Sequence, residues 1–129
     1  MYLKEEDKMD LKYKKINDLD ASNFRTVLRN YKFNKEDALN LKSIKDLAFL
    51  HTKELLQGFY KFIFEFNHAQ MFLHDKDVLA RHEKGIELWY KNLFCGKYEE
   101  EYFEKLHLVS EIHVRIGLPA HYVNAAFSY

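Results

Sequence analysis

The histidine at position 113 stands where the surrounding pattern predicts an apolar side chain. Large, mostly apolar residues recur around it at helical spacing, in the order Tyr102, Leu106, Val109, His113 and Ile116. Residues with this spacing share one face of a helix, and an apolar face turns toward the protein interior. The imidazole of His113 is therefore expected at a buried position, where its ring nitrogens need partners.

Two kinds of chemistry fit a buried imidazole on a helix. In the first, His113 is a core histidine whose nitrogens bind backbone or hydroxyl groups. In the second, one nitrogen ligates a metal ion or the iron of a heme, because a rigid helix in an apolar pocket supplies both orientation and burial. The spacing alone leaves both interpretations open.

Length and composition favour one all-α domain. The chain has 129 residues and 47% hydrophobic content, which is enough for a single core. The chain has only 4 glycines and 1 proline, which leaves few turn signals. Its 16% aromatic residues favour long helices over hairpins. We expect an N-terminal arm over residues 1–21, mobile or partly helical, followed by one domain over residues 22–129.

The charge pattern argues against nucleic acid and membranes as partners. Lys plus Arg and Asp plus Glu are both 20, and no long block of one sign is present. The single cysteine, Cys95, cannot form an internal disulfide, and the charged start of the chain lacks the apolar core of a signal peptide. The apolar run at 59–66 is interrupted by Lys61 and Glu65 and is too short for a membrane span. We therefore expect a cytoplasmic protein.

The first half of the domain is expected to form a short helix over residues 22–31 and a long one beyond it. Asn34 is the predicted N-cap of the long helix, which continues with a bend to about Phe66. One face of its later part is predicted to hold Leu56, Tyr60, Ile63 and Asn67.

The second half is expected to contain three more helices. One runs over about 75–93 and ends with Gly96 as its C-cap, and the next runs over about 99–116 and is stopped by Gly117. Pro119 is predicted at the first helical position of the last helix. The inward face of the helix over 75–93 is predicted to hold Val78, His82, Ile86, Trp89 and Leu93.

Three stretches of the sequence carry a resemblance to a known family. They read HVRIGLPAHYVNAAF at 113–127, GKYEEEYFEKL at 96–106 and GFYKFIFEF at 58–66. Together they resemble the globin-coupled sensor family, particularly the sensor domains attached to diguanylate cyclases, over roughly residues 34–127. The resemblance implies an all-α, globin-like fold of the globin-coupled sensor type, whose C-terminal helices are expected to be cut short in this chain.

The same resemblance implies a heme-based sensor of O₂ or another diatomic gas such as CO or NO. His113 would be the proximal ligand of a heme b, and Tyr60 would be the distal donor of a hydrogen bond to the gas. Three roles remain open for His82: a second hydrogen-bond donor, a sixth iron ligand, or a polar side chain at the pocket mouth. The domain itself would not be an enzyme, and it would regulate an output such as a diguanylate cyclase in a homodimeric full-length protein.

Further residues are candidates for the surroundings of the heme. The proposed porphyrin contacts, each of which fits a core position equally well, are Phe59, Ile63, Ile86, Trp89 and Leu106. The Ser110 hydroxyl or the Val109 carbonyl would accept the Nδ1–H of His113. The candidate partners of the heme propionates are Arg81, Lys84 and Arg115.

Two functions from other classes remain open on the sequence. A di-iron helical bundle uses Glu-x-x-His pairs, and the chain contains Glu65 with His68 and Glu104 with His107. The second pair lies on an acidic outer face, which argues against a metal site there. The other alternative is a helical interaction module without a cofactor. No glycine-rich phosphate loop, nucleophile elbow or zinc spacing is present in the sequence.

Overall fold

The computed structural model describes residues 21–129, so the expected N-terminal arm lies outside the described residues apart from Ala21. Every regular element in this range is helical, which confirms the all-α prediction. None of the helices in residues 21–129 combines the length and apolar character that a membrane crossing requires. A 3-10 turn at Ala21–Asn23 precedes α1 Phe24–Asn30, α2 Lys35–Ser43, α3 Lys45–Leu50, α4 Thr52–Ile63, α5 Ala69–Leu73, α6 Lys76–Asn92, α7 Glu100–Arg115 and α8 Ala120–Ser128.

Two helices begin at side-chain caps, of which Asn34 was predicted as a cap and Asp75 only as an approximate helix start. The Asn34 side chain accepts hydrogen bonds from the backbone N–H groups of Glu36 at 2.8 Å and Asp37 at 3.1 Å. The Asp37 carboxylate in turn accepts from the Asn34 N–H at 2.8 Å, which completes a capping box at the start of α2. The Asp75 side chain caps α6 by accepting hydrogen bonds from the backbone N–H groups of Asp77 and Val78, without a reciprocal bond, and these two hydrogen bonds lower the pKa of its carboxyl.

The long helix predicted from Asn34 to about Phe66, with one bend, is instead divided into separate helices. The backbone leaves helical geometry at Ile44, with ψ 5°, and again at His51, with ψ 9°, so three helices replace one. The last of them ends at Ile63. Asn67 therefore lies beyond the helix and is exposed, and it does not share the buried face on which it was predicted.

The core lies between α3, α4 and α6. The least exposed large apolar side chains in the described range include Leu56 of α4 and Phe94, which follows α6. The hydroxyl of Tyr90 donates to the Ala48 carbonyl at 2.8 Å, which joins α6 to α3, and the ring of Phe49 lies 6.5 Å from that of Phe94. The predicted inward face of α6 is confirmed, since all five of its residues are partly buried. This packing holds α4 against α6.

The apolar face of α7 is buried only in part. Tyr102, Leu106 and His113 are partly buried as predicted, whereas Val109 is 42% exposed and Ile116 is 50% exposed. Among described elements, α7 makes its main contacts with the 3-10 turn at residues 21–23. Its burial is therefore uneven along the helix, which a periodic pattern cannot show.

The predicted helix ends around Gly96 and Pro119 need correction. Helix α6 ends at Asn92 with Leu93 as its C-cap, so Gly96, with φ +75°, turns the following loop and is not the cap. Pro119 has φ −60° and ψ 137° and is the N-cap of α8, so the first helical residue is Ala120 and not Pro119 as predicted. Both errors concern helix boundaries, which local sequence signals fix least well.

Gly117 ends α7 as predicted, and it does so through a Schellman motif. Its φ is +70°, a left-handed conformation that favours glycine. The Gly117 N–H donates to the Val114 carbonyl at 3.0 Å, and the Leu118 N–H donates to the His113 carbonyl at 3.0 Å. The backbone of His113 is thereby tied directly to the turn that leads into α8.

We predict opposite effects of the same substitution at two exposed glycines. Gly117→Ala should lower the free energy of unfolding by about 1–2 kcal/mol, because alanine at φ +70° is strained. Gly85→Ala, inside α6, should raise it by about 0.5–1 kcal/mol. Neither new Cβ would meet a described atom within 4 Å, so backbone conformation alone sets the sign. Chemical denaturation measures the change in unfolding free energy for each variant. Changes of the same sign in both variants would contradict the Schellman motif at Gly117.

Candidate functional site

Side chains from three helices converge around His82. The hydroxyl oxygen of Tyr60 on α4 lies 2.7 Å from Nδ1 of His82 on α6, and the two rings meet edge to face with centroids 5.8 Å apart. His113 on α7 is close enough for its charge to act on the His82 ring. The structure thus joins Tyr60 and His82 directly, and His113 lies near enough to influence His82 electrostatically.

Helical periodicity explains how these side chains reach one place. Tyr60 lies one turn beyond the buried Leu56 on α4. His82 lies one turn beyond Val78 and one turn before Ile86 on the partly buried face of α6. Because α4 and α6 pack on each other, both polar groups project into the contact between the two helices.

Burial keeps the Tyr60 and His82 pair neutral. Removal from water, with a smaller effect of the Glu83 carboxylate, raises the pKa of the Tyr60 hydroxyl. Removal from water, with a smaller effect of the charge on His113, lowers the pKa of His82. A phenol is a stronger acid than a neutral imidazole, and an imidazole nitrogen is the stronger base. We therefore assign Tyr60 as the donor and His82 Nδ1 as the acceptor, with the imidazole proton on Nε2.

The His113 imidazole makes no hydrogen bond within residues 21–129. The expected backbone or hydroxyl partners of a core histidine are thus not found in the described chain. The Ser110 hydroxyl, one of the two expected acceptors, donates to the Leu106 carbonyl at 3.1 Å inside α7. A partly buried imidazole with no hydrogen bond to the described residues, near enough to a second imidazole to influence it electrostatically, is a donor that fits heme iron.

The apolar candidates all lie at partly buried positions. The ring of Phe59 meets that of Tyr60 with centroids 5.3 Å apart, which places Phe59 beside the convergent polar groups. The ring of Trp89 packs on Phe127 of α8 at 5.9 Å. Partial burial suits a heme contact and a core position equally, so the role of these side chains stays a prediction for Phe59, Ile63, Ile86, Trp89 and Leu106. The candidate propionate partners Arg81, Lys84 and Arg115 are exposed, and their role also stays a prediction.

Contacts between α8 and the region around α4 were not predicted from the sequence. The Tyr122 hydroxyl lies 2.9 Å from Nδ1 of His68, and the Tyr122 ring meets Phe66 at 6.2 Å. At the other end of α8, the ring of Tyr129 lies 5.6 Å from that of Phe62. These partners are more than fifty residues apart along the chain, so no local periodicity indicates them.

The geometry does not support a di-iron site. His68 bonds to Tyr122, and His107 pairs with Glu111 at 3.2 Å on the exposed side of α7. Within the described part of the chain, no group of three or more His, Cys, Asp or Glu side chains is arranged to hold a metal ion. The two Glu-x-x-His pairs are therefore not brought together into a carboxylate-rich metal site.

Comparisons with known proteins agree with this fold. A family model described as Protoglobin matches residues 20–129. The globin domain of a Geobacter sulfurreducens globin-coupled sensor matches with a TM-score of 0.76 and 33% sequence identity, over 81% of this chain and 68% of that chain.

Curated relatives of the chain carry the name diguanylate cyclase DosC. The protein of Shigella flexneri serotype 5b is 28% identical over 93 residues, which are 70% of this chain and 24% of the relative. The protein of Escherichia coli K12 is 29% identical over 84 residues, which are 64% of this chain and 18% of the relative. The chain therefore spans about a quarter or less of the length of these relatives.

We predict that His82 makes folding less favourable in acid. An unfolded imidazole takes up a proton near pH 6.5, whereas the lowered pKa of folded His82 delays protonation to more acidic pH. The unfolded state therefore binds more protons once the pH falls below about 6.5, and stability declines there. Between about pH 7.5 and about pH 5.5, the free energy of unfolding should fall more for the wild type than for His82→Gln, as measured by denaturation at both pH values. His74→Gln, at an exposed histidine, is the control, and equal losses for wild type and His82→Gln would contradict a buried neutral imidazole.

Proposed function

The chain belongs to the protoglobin family, and on that premise we propose that it is the heme-binding, gas-sensing domain of a longer signalling protein. Membership of a globin family implies a heme cofactor, and globin sensors bind diatomic gases such as O₂. The observation that carries the residue-level proposal is the convergence of Tyr60, His82 and His113 from three helices. It supports a proximal side at α7 and a distal side between α4 and α6.

His113 is the proposed proximal ligand of a heme b. Bound heme would supply the iron that binds the gas, and the His113 imidazole would hold that iron. His113 suits this role because its ring is partly buried and makes no hydrogen bond within residues 21–129. Its backbone is held by α7 and by the hydrogen bond from the Leu118 N–H to its carbonyl, which fixes the position from which the side chain projects.

Tyr60 is the proposed donor to the gas. Burial raises the pKa of its hydroxyl, so the group stays protonated at neutral pH and retains a proton to donate. O₂ on heme accepts hydrogen bonds much better than CO, and a donor in a poorly hydrated site discriminates between the two. His82, with its Nδ1 engaged by Tyr60 and its proton on Nε2, would have to lose that proton to ligate iron. This argues against His82 as a sixth ligand while Tyr60 donates to it.

The proposed output is a diguanylate cyclase in the parent protein. The curated relatives carry that name, and this chain matches only 18% to 24% of their length. In this proposal the domain itself is not catalytic, the parent is a homodimer, and the gas acts by favouring one of two conformations of the sensor. The exposed thiol of Cys95 fits a reducing compartment, and the cytoplasm is part of the proposal.

His113→Ala should abolish stable heme binding, because it removes the proposed axial bond. The visible absorption spectrum should lose its sharp Soret band after heme addition and desalting, and added imidazole should restore it. His107→Ala is a matched control on the same helix, since His107 is exposed and pairs with Glu111. Full heme occupancy of His113→Ala without imidazole would refute the assignment.

Tyr60→Phe should keep the heme but release O₂ faster. Loss of one hydrogen bond of about 0.5–1.5 kcal/mol corresponds to a roughly two- to tenfold change in dissociation rate. The ring itself is retained, so the contact with Phe59 is preserved. Dissociation of CO should change much less, and stopped-flow measurement of both gases checks the difference. Equal changes for the two gases would tell against Tyr60 as donor.

A further inference from the structure

The hydrogen bond between Tyr60 and His82 carries an inference beyond the proposed function, on which it rests. The hydroxyl of Tyr60 has one proton, and its hydrogen bond to His82 Nδ1 at 2.7 Å is the only one it makes within residues 21–129. A phenol proton can be donated to one acceptor at a time. While the Tyr60 hydroxyl donates to His82, it therefore cannot donate to a bound gas.

We propose that His82 is a positioning residue that holds the Tyr60 hydroxyl as a competing acceptor, so that O₂ must displace His82 to receive the hydrogen bond. The assignment depends on which atom donates. The distance of 2.7 Å is typical of an O–H donor and short for an N–H donor. The relative acidity of phenol and neutral imidazole points the same way, with Tyr60 as donor.

The competition requires movement of the hydroxyl proton rather than of the ring. The Tyr60 ring is flanked by Phe59, with centroids 5.3 Å apart, and by Phe64, with centroids 6.3 Å apart. These contacts hold the ring, while the O–H bond is free to rotate toward whichever acceptor is better. His82 is held on the buried face of α6, so its acceptor stays in place when the proton turns away.

The consequence concerns O₂ more than CO. O₂ regains a hydrogen bond when it draws the proton from His82, whereas CO regains very little. An intact His82 therefore lowers O₂ affinity below what Tyr60 alone would give. Removing the acceptor should raise O₂ affinity by about three- to tenfold, the factor that corresponds to one net hydrogen bond.

A double-mutant cycle on the heme-loaded protein tests the competition. O₂ and CO affinities are measured for the wild type, His82→Leu, Tyr60→Phe and the double variant. We expect His82→Leu to raise O₂ affinity about three- to tenfold when Tyr60 is present and to have no further effect in the Tyr60→Phe background. The same change in both backgrounds, or a fall in O₂ affinity for His82→Leu, would overturn the proposal.

A conservative variant separates loss of the acceptor from loss of packing. Asparagine places a side-chain oxygen near the position of the His82 Nδ1, so His82→Asn keeps an acceptor for Tyr60 whereas His82→Leu does not. We expect His82→Asn to bring the O₂ affinity back toward the wild-type value. If asparagine and leucine gave the same O₂ affinity, a hydrogen-bonding role for His82 would be excluded.

A second readout does not depend on gas binding. Long-range ¹H–¹⁵N NMR spectra of the histidine side chains report which nitrogen carries the proton. We expect His82 to have a bare Nδ1 and a protonated Nε2, with the Nδ1 signal shifted in Tyr60→Phe. A proton on Nδ1 would overturn the proposal. If the wild type bound no heme, the proposed function would fail, yet this spectrum would still decide whether Tyr60 donates to His82.

Discussion

The contact between α4 and α6 is the constraint on which the rest of the site depends. Leu56 is buried within it, and the hydrogen bond from Tyr60 to His82 crosses it. Since a buried polar group without a partner is costly, each of these two side chains makes the other tolerable in an apolar contact. The same burial keeps both groups neutral. Packing and protonation of the pair therefore have one common origin here.

Local signals in the sequence were sufficient where a few neighbouring residues decide the structure. The caps at Asn34 and Asp75 and the left-handed glycine at Gly117 depend on side-chain and backbone chemistry within one turn. A bend in this stretch was predicted, but the two breaks at Ile44 and His51 could not be located, because no glycine or proline marks them and tertiary packing decides where the backbone bends. Helix identity was thus predictable and helix continuity was not.

The candidate site divides in the same way. His113 could be singled out because it is a polar residue on an otherwise apolar helical face, whereas the roles of Tyr60 and His82 came from the resemblance to globin-coupled sensors. Their mutual arrangement could not be predicted, because Tyr60 and His82 are 22 residues apart and meet only when two helices pack. The sequence analysis assigned the Tyr60 hydroxyl only a role as hydrogen-bond donor to the gas. In the structure this hydroxyl lies at hydrogen-bond distance from His82. Which residues of different helices contact one another is decided by the packing of the whole fold, so the sequence of a single helix does not predict it.

The turn at Gly117 also bears on how this domain can be recombined with others. The His113 carbonyl is bonded to Leu118, and Tyr122 at the start of α8 reaches His68 beyond the end of α4. Residues 113–122 therefore connect His113 to the region beyond the end of α4 through a short, hydrogen-bonded span. A chimera that exchanged α7 without residues 113–122 would lose the contacts that this span makes within the turn at Gly117 and with His68. The transferable module begins at or before α7 and continues past Tyr122.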